Sequence, residues 1–145
     1  MTWRAFIDDV TSRVDPEFRK APEYGPPAPP KAIERLERQL GCSLPAELRE
    51  LLLEHDGVRD GDWLVWSIKE MAKNNLEGWR EPDLILPTDL LAFASAGADG
   101  ILFAFEKGSP SSTIFAWDPI PHERPVLARS LRAFIEGWKL GTITV

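Results

Sequence analysis

Between Lys31 and Gly57 the apolar residues return at helical spacing twice, and beyond Gly61 that spacing gives way to short β-prone runs. This change of period constrains the fold most, because a helical stripe and a pleated strand cannot substitute for one another. Ile33, Leu36 and Leu40 share one face of 31–40, with Glu34, Arg35, Glu37 and Arg38 mostly on the others. Gly41 follows as a helix stop that tolerates a left-handed backbone. Leu44-Pro45 then opens a second helix, with proline at or near its first position, where the missing N–H costs nothing. Glu47 and Glu50 near that start suit the helix dipole, Leu48, Leu51 and Leu52 form the apolar stripe, and Gly57 ends it. The two segments and their tight link predict a helical hairpin capping a sheet.

On the N-terminal side, Trp3, Phe6, Ile7, Val10 and Val14 predict an amphipathic helix over 3–14, halted at Asp15-Pro16. Five of the thirteen prolines fall in 22–30, which reads as an extended, partly polyproline connector. On the other side, 63–68 reads as a strand after Gly61-Asp62, 69–75 as a short helix, and 77–87 as a loop containing Trp79. Leu90–Ala94 and Ile101–Phe105 read as strands around a turn at Gly97-Ala98-Asp99-Gly100, and Thr113–Trp117 as a third strand. Val126–Leu140 returns to helical spacing and stops at Gly141. The fold class expected is α+β, with N-terminal helices and the hairpin on a mixed, largely antiparallel sheet and a helix at the end. The 145 residues are the size of one domain, with 1–30 as helix plus connector and 31–140 as its core.

Six Trp and seven Phe supply enough apolar area to hold a core without a metal or a disulfide. The single cysteine, Cys42, excludes an intramolecular disulfide and a cysteine-rich zinc site. The polar N-terminus carries no apolar signal core, and no apolar run approaches the roughly 20 residues of a membrane helix, so a cytoplasmic location is expected.

The catalytic candidates are few. His55-Asp56 sets a histidine beside a carboxylate, but neighbours on a helix point about 100° apart, so adjacency alone makes no dyad. A position just before Gly57 suits a residue closing a helix. Cys42 with His55 and Asp56 would form a thiol triad only if the thiolate met the imidazole; a buried structural cysteine is the simpler reading. No HxH, HxxxH or CxxC spacing supports zinc, and Asp60 and Asp62 around Gly61 are only a fragment of a calcium loop. Gly97–Gly100 lies between strands with no helix after it, so it is a turn and not a phosphate cradle. No cofactor, metal or catalytic residue is expected.

The net charge is −6, unevenly spread: 58–95 holds seven acids (Asp60, Asp62, Glu70, Glu77, Glu81, Asp83, Asp89) against four bases. An acidic domain without a basic stripe is a poor nucleic-acid binder and a plausible partner for a basic protein. Moderate negative charge also simply keeps a protein soluble. Trp79 sits among Glu77, Glu81 and Asp83, which would suit a contact for a basic partner; it would equally serve as a lid folded onto the core. The candidate partner-binding residues are Asp60, Asp62, Glu77, Trp79, Glu81 and Asp83.

The stretch 32–57 resembles the opening signature of the SMI1/KNR4, or SUKH, family: an I/L-x-x-L-E-x-x-L-G helix, then L-P, then a helix ending near an N/D-G pair. Glu37, Gly41, Leu44-Pro45 and Asp56-Gly57 all fit. Leu84–Phe105 is similar to the family's middle segment, although Ser95 stands where an acidic residue is usual. Thr113–Asp118 resembles the strand before the family's closing helix, which would correspond to Ser130–Ile135. The likeness covers about residues 31–140, with the first helix and the connector as additions. It implies a non-catalytic α+β domain. Many bacterial members of the family are immunity proteins that bind and neutralise a cognate toxin, often a nuclease, and eukaryotic relatives are regulators or scaffolds. The partner implied is therefore a protein, a basic toxin domain foremost, with neither nucleic acid nor membrane.

Overall fold

The computed structural model describes residues 1–77, 86–97, 99–119 and 122–145. Helix α1 (Trp3–Ser12) starts where the Thr2 hydroxyl accepts the Ala5 N–H at 3.1 Å, and it buries Trp3, Ile7 and Val10 along one stripe. Its C-terminal carbonyls are met by Arg19, whose guanidinium donates to Ser12 at 2.7 Å and to Val14 at 2.9 Å. The amphipathic helix expected over 3–14 therefore lays its apolar stripe into the core. Trp3 is completely buried, and its ring packs edge-on against Phe6.

The proline-rich segment is not a free spacer. Glu23–Tyr24 forms β1, and the chain beyond it is stitched to the end of the third helix. Gly25 N–H donates to Gly57 at 2.9 Å, Asp56 N–H to Pro26 at 2.6 Å, and Ala28 N–H to Leu52 at 3.0 Å. Gly25 is required there, because a Cβ would run into the Asp56 carbonyl. The prolines suit such a segment, since they lack donors and fix an extended backbone.

Helix α2 (Pro30–Leu40) has its proline in the first turn and ends at Gly41 with φ 73°; α3 (Ala46–Glu54) follows, with Pro45 as its N-cap. Ile33, Leu36, Leu40, Leu48, Leu51 and Leu52 are all buried, as their spacing requires. Strands β2 (Val58–Asp60) and β3 (Asp62–Val65) pair antiparallel, and β1 pairs antiparallel with β2. Helix α4 (Ile68–Leu76) begins at Ser67, so the strand expected over 63–68 ends earlier, at Val65. Two carboxyl and hydroxyl groups cause that switch: Asp56 accepts the Ile68 N–H at 2.7 Å, and Ser67 accepts the Glu70 N–H at 3.3 Å.

The second sheet runs β4 (Leu90–Ser95), β5 (Leu102–Glu106), β6 (Ile114–Trp117) and β7 (Val126–Ala128) in that order, antiparallel throughout. The fold is α+β as expected, but among the described residues the single mixed sheet is replaced by two antiparallel sheets of three and four strands. A bulge at Phe93 joins them. Phe93 is skipped in the β4–β5 register, and its carbonyl accepts the N–H of Trp66 at 2.8 Å instead. Beside it, Asn75 of α4 exchanges two hydrogen bonds with the backbone of Ala92, at 2.9 and 3.0 Å. A side-chain amide thus covers a strand edge that would otherwise be open to pairing.

Helix α5 (Leu131–Leu140) closes the fold. The helix expected to start at Val126 begins five residues later, because 126–128 is used as β7, pairing with Ile114 and Phe115. Phe134 packs against Phe93 and Phe103, with ring centroids 5.6 and 4.7 Å apart. Leu102 and Ala104, which alternate with Phe103 and Phe105, are also buried, so β5 is covered on both faces.

Candidate functional site

The residues that carry the family resemblance are used inside the fold. Glu37 accepts the Leu44 N–H at 2.7 Å and is held by the Arg49 guanidinium, which clamps the link between α2 and α3. Asp56 caps α4. Gly57 has φ 92°, and a Cβ on it would lie 2.8 Å from the Trp63 ring and 2.9 Å from the Ser67 nitrogen. These positions therefore speak to architecture.

The same holds for the residues weighed as catalytic. His55 caps α3; its Nδ1–H donates to the Gly25 carbonyl at 2.9 Å, and its ring lies 4.9 Å from that of Tyr24. The Asp56 carboxylate is turned to α4, so the two neighbours form no dyad. Cys42 is half-buried against the core, and burial pushes its thiol above the ordinary value, opposite to the change that activates a nucleophile. Among the described residues no group of three or more His, Cys, Asp or Glu could hold a metal ion. Gly97, Asp99 and Gly100 all have positive φ, as a turn demands.

The acidic candidates fall into three groups. Asp60, at the end of β2, is paired with Lys139 of α5, whose side chain is only 2 % exposed; the second Asp60 oxygen, Oδ1, is buried without a hydrogen bond among the described residues. This carboxylate fixes the β2–β3 turn to the last helix. Asp62 and Glu77 are exposed, and neither has a side-chain hydrogen bond or ion pair among the described residues. Trp79, Glu81 and Asp83 lie outside the described residues. Of the other acids in this stretch, Asp89 is bound by Arg124 at 2.6 Å, a hydrogen bond that holds its carboxyl below the usual range. Trp66 is buried, and Trp63 is half-buried under the Arg59 guanidinium, 5.1 Å from the ring centroid.

Two depressions meet at Trp138, which the sequence marks only as part of a helical stripe. One, of about 310 Å³, is lined by Ala96, Asp99, Ile101, Trp138, Thr144 and Val145. The other, of about 190 Å³, lies among Val14, Phe18, Lys20, Asp60, Trp138 and Lys139. Phe18 is 71 % exposed at its rim. An open groove of about 520 Å³ runs between the α2–α3 link and the serine-rich 108–112 turn. No periodicity could have revealed these features, since they depend on which distant turns and termini come together.

No helix among the described residues is long and apolar enough to cross a membrane. The sequence model of the SMI1 / KNR4 family (SUKH-1) matches residues 27–137, leaving α1 and β1 outside the match. A search of curated proteins found no match. With the match covering well over half of its length, and with the signature residues in the places that build the hairpin and its caps, the chain belongs to the SMI1/KNR4 (SUKH-1) family.

Proposed function

We propose that the protein is a non-catalytic binding domain that acts in the cytoplasm as an immunity protein, docking its acidic surface on a basic toxin domain. The observation that carries this reading is the division of labour among the acids. Glu37, Glu47, Glu50, Glu54 and Asp56 cap helices or bind side chains, whereas Asp62 and Glu77 face solvent with no intramolecular partner among the described residues. Charges left free on a surface steer a partner of opposite sign and set register on it. Trp79, Glu81 and Asp83 extend the proposed contact set along the chain, and Asp60 supports the turn that presents Asp62.

The test is capture of partners by the tagged protein from its source cells, with resin washed at low and at high salt. A single basic partner that elutes at high salt, and that a folded Asp62→Lys/Glu77→Lys variant fails to hold, is the expected result. Partners confined to metabolic or envelope proteins would instead favour a regulatory or scaffold role. Equal capture by the charge-reversed variant would remove Asp62 and Glu77 from the contact set.

A further inference from the structure

We infer that the depression between Trp138 and the β4–β5 turn receives one arginine side chain of a protein partner. The inference rests on the protein-binding reading above and adds to it a seat and a side chain.

The Trp138 indole forms one wall and is held in place. It meets the Phe103 ring at 67° with centroids 4.9 Å apart, and lies within 10° of parallel to the Phe134 ring at 6.3 Å. Ile101 and Val145 supply aliphatic surface. At the rim stands Asp99, exposed, with φ 58°, and with no hydrogen bond or ion pair to its side chain among the described residues. Asp62, the first residue of β3, approaches the β4–β5 turn from outside the depression: its Oδ2 lies 3.2 Å from where a Cβ on Gly97 would stand. The lysine beside Trp138 offers no competing charge, because Lys139 is buried and paired with Asp60.

An anchored indole, an aliphatic floor and a carboxylate with no cation on it among the described residues together match a long apolar stem ending in a positive charge. A guanidinium matches them better than an ammonium, since it is planar, weakly hydrated, stacks on aromatic faces and offers a fork of donors to a carboxylate. The depression of about 310 Å³ admits a side chain rather than a folded segment. The partner is therefore a protein that presents an arginine from a protruding loop or helix end.

The test uses the full chain, labelled with ¹⁵N, and N-acetyl-arginine methylamide as the test compound, with the lysine, citrulline and norleucine counterparts as controls. The Trp138 indole signal is assigned by its loss in Trp138→Phe. The arginine compound should shift that signal and the Asp99 amide saturably, binding about threefold more tightly than lysine and about tenfold more tightly than citrulline. Asp99→Asn, a residue that tolerates the left-handed backbone, should reduce arginine binding to the citrulline level. Equal binding of norleucine would mark a merely apolar hollow, and equal binding of lysine a general cation site; either result overturns the assignment. So do unchanged affinity in Asp99→Asn and the absence of any shift. Because no partner is needed, failure here leaves the salt-washed capture result standing, and a failed capture leaves this titration standing.

Discussion

Glu47 and Leu131 are 84 residues apart, yet the carboxylate of the first accepts the backbone N–H of the second at 3.0 Å. Its other oxygen accepts the Arg132 N–H at 3.4 Å, and the Ser130 hydroxyl accepts the Ala133 N–H at 3.1 Å. The free donors at the start of α5 are thereby met by the second helix of the hairpin and by a local cap together. Along the same helix, Glu50 accepts the Trp3 indole N–H at 3.3 Å, and Glu54 accepts the Trp3 backbone N–H at 2.9 Å. One face of α3 thus holds the first turns of both terminal helices.

Glu47→Ala should lower stability by about 1–2 kcal/mol, and Ser130→Ala by about 1 kcal/mol, read from urea midpoints at unchanged slope. Because both side chains serve one helical turn, the double variant should depart from additivity. A midpoint in Glu47→Ala equal to that of the unmodified protein would show that water replaces the carboxylate without loss.

Two glycines separate backbone strain from crowding. Gly41 has φ 73° and nothing within 4 Å of the place a Cβ would take, so Gly41→Ala should cost about 1–2 kcal/mol from the left-handed backbone alone. At Gly57, φ is 92° and the Cβ would press on Trp63 and Ser67 as well, so Gly57→Ala should cost at least about twice as much. Circular-dichroism melts of the two variants decide it: similar losses would mean that the Trp63 ring gives way.

Much of this architecture is legible in the sequence where one stripe and one stop signal agree. The 31–40 reading falls within a residue of α2, since Ile33, Leu36 and Leu40 repeat cleanly and Gly41 supplies the left-handed stop. At the other end, Val126 and Leu127 continue the apolar content of α5 but belong to β7, which pairs with β6, so periodicity starts the helix too early. The family resemblance, which placed that helix at Ser130, is the better guide. Segment 22–30 was legible as extended but not as stitched to α3, because hydrogen bonds between distant backbones leave no mark in composition. The same reason hides the Trp3 contacts. For the candidate site, acidity was legible but its use was not: nothing local tells Asp60, spent on Lys139, from Asp62, which is free among the described residues.

The Asp60–Lys139 pair is nearly enclosed, with side chains 19 % and 2 % exposed, whereas Asp89 and Arg124 are 60 % and 37 % exposed. Lys139→Met should therefore cost about 3 kcal/mol, because it strands a carboxylate away from water, and adding Asp60→Asn should restore most of that loss. Arg124→Ala should cost less than about 1 kcal/mol. Urea denaturation of the three variants tests the contrast; a Lys139→Met loss no larger than that of Arg124→Ala would show that water reaches Asp60.

At alkaline pH two groups should erode stability in sequence. Burial, with a smaller contribution from the Glu37 charge and against the pull of Lys107, keeps the Cys42 thiol protonated above its ordinary value of 9.0. Burial, followed by the hydrogen bond donated to Asp8 at 2.6 Å, raises the Tyr24 phenol well above its ordinary 10.0. In both cases the unfolded chain ionises first and binds fewer protons than the folded one. Stability is therefore complete below about pH 9 and falls as pH rises, until the folded groups ionise in turn. Urea midpoints between pH 7 and 11 should show the decline, with Cys42→Ala reducing the part that begins near 9 and Tyr24→Phe the part above 10. Comparison with each variant isolates the share of the decline that belongs to its own group. The same burial should slow alkylation of Cys42 by iodoacetamide at pH 8 in the folded protein relative to the urea-unfolded chain. Equal alkylation rates, together with midpoints whose decline neither variant alters, would show that water reaches both groups.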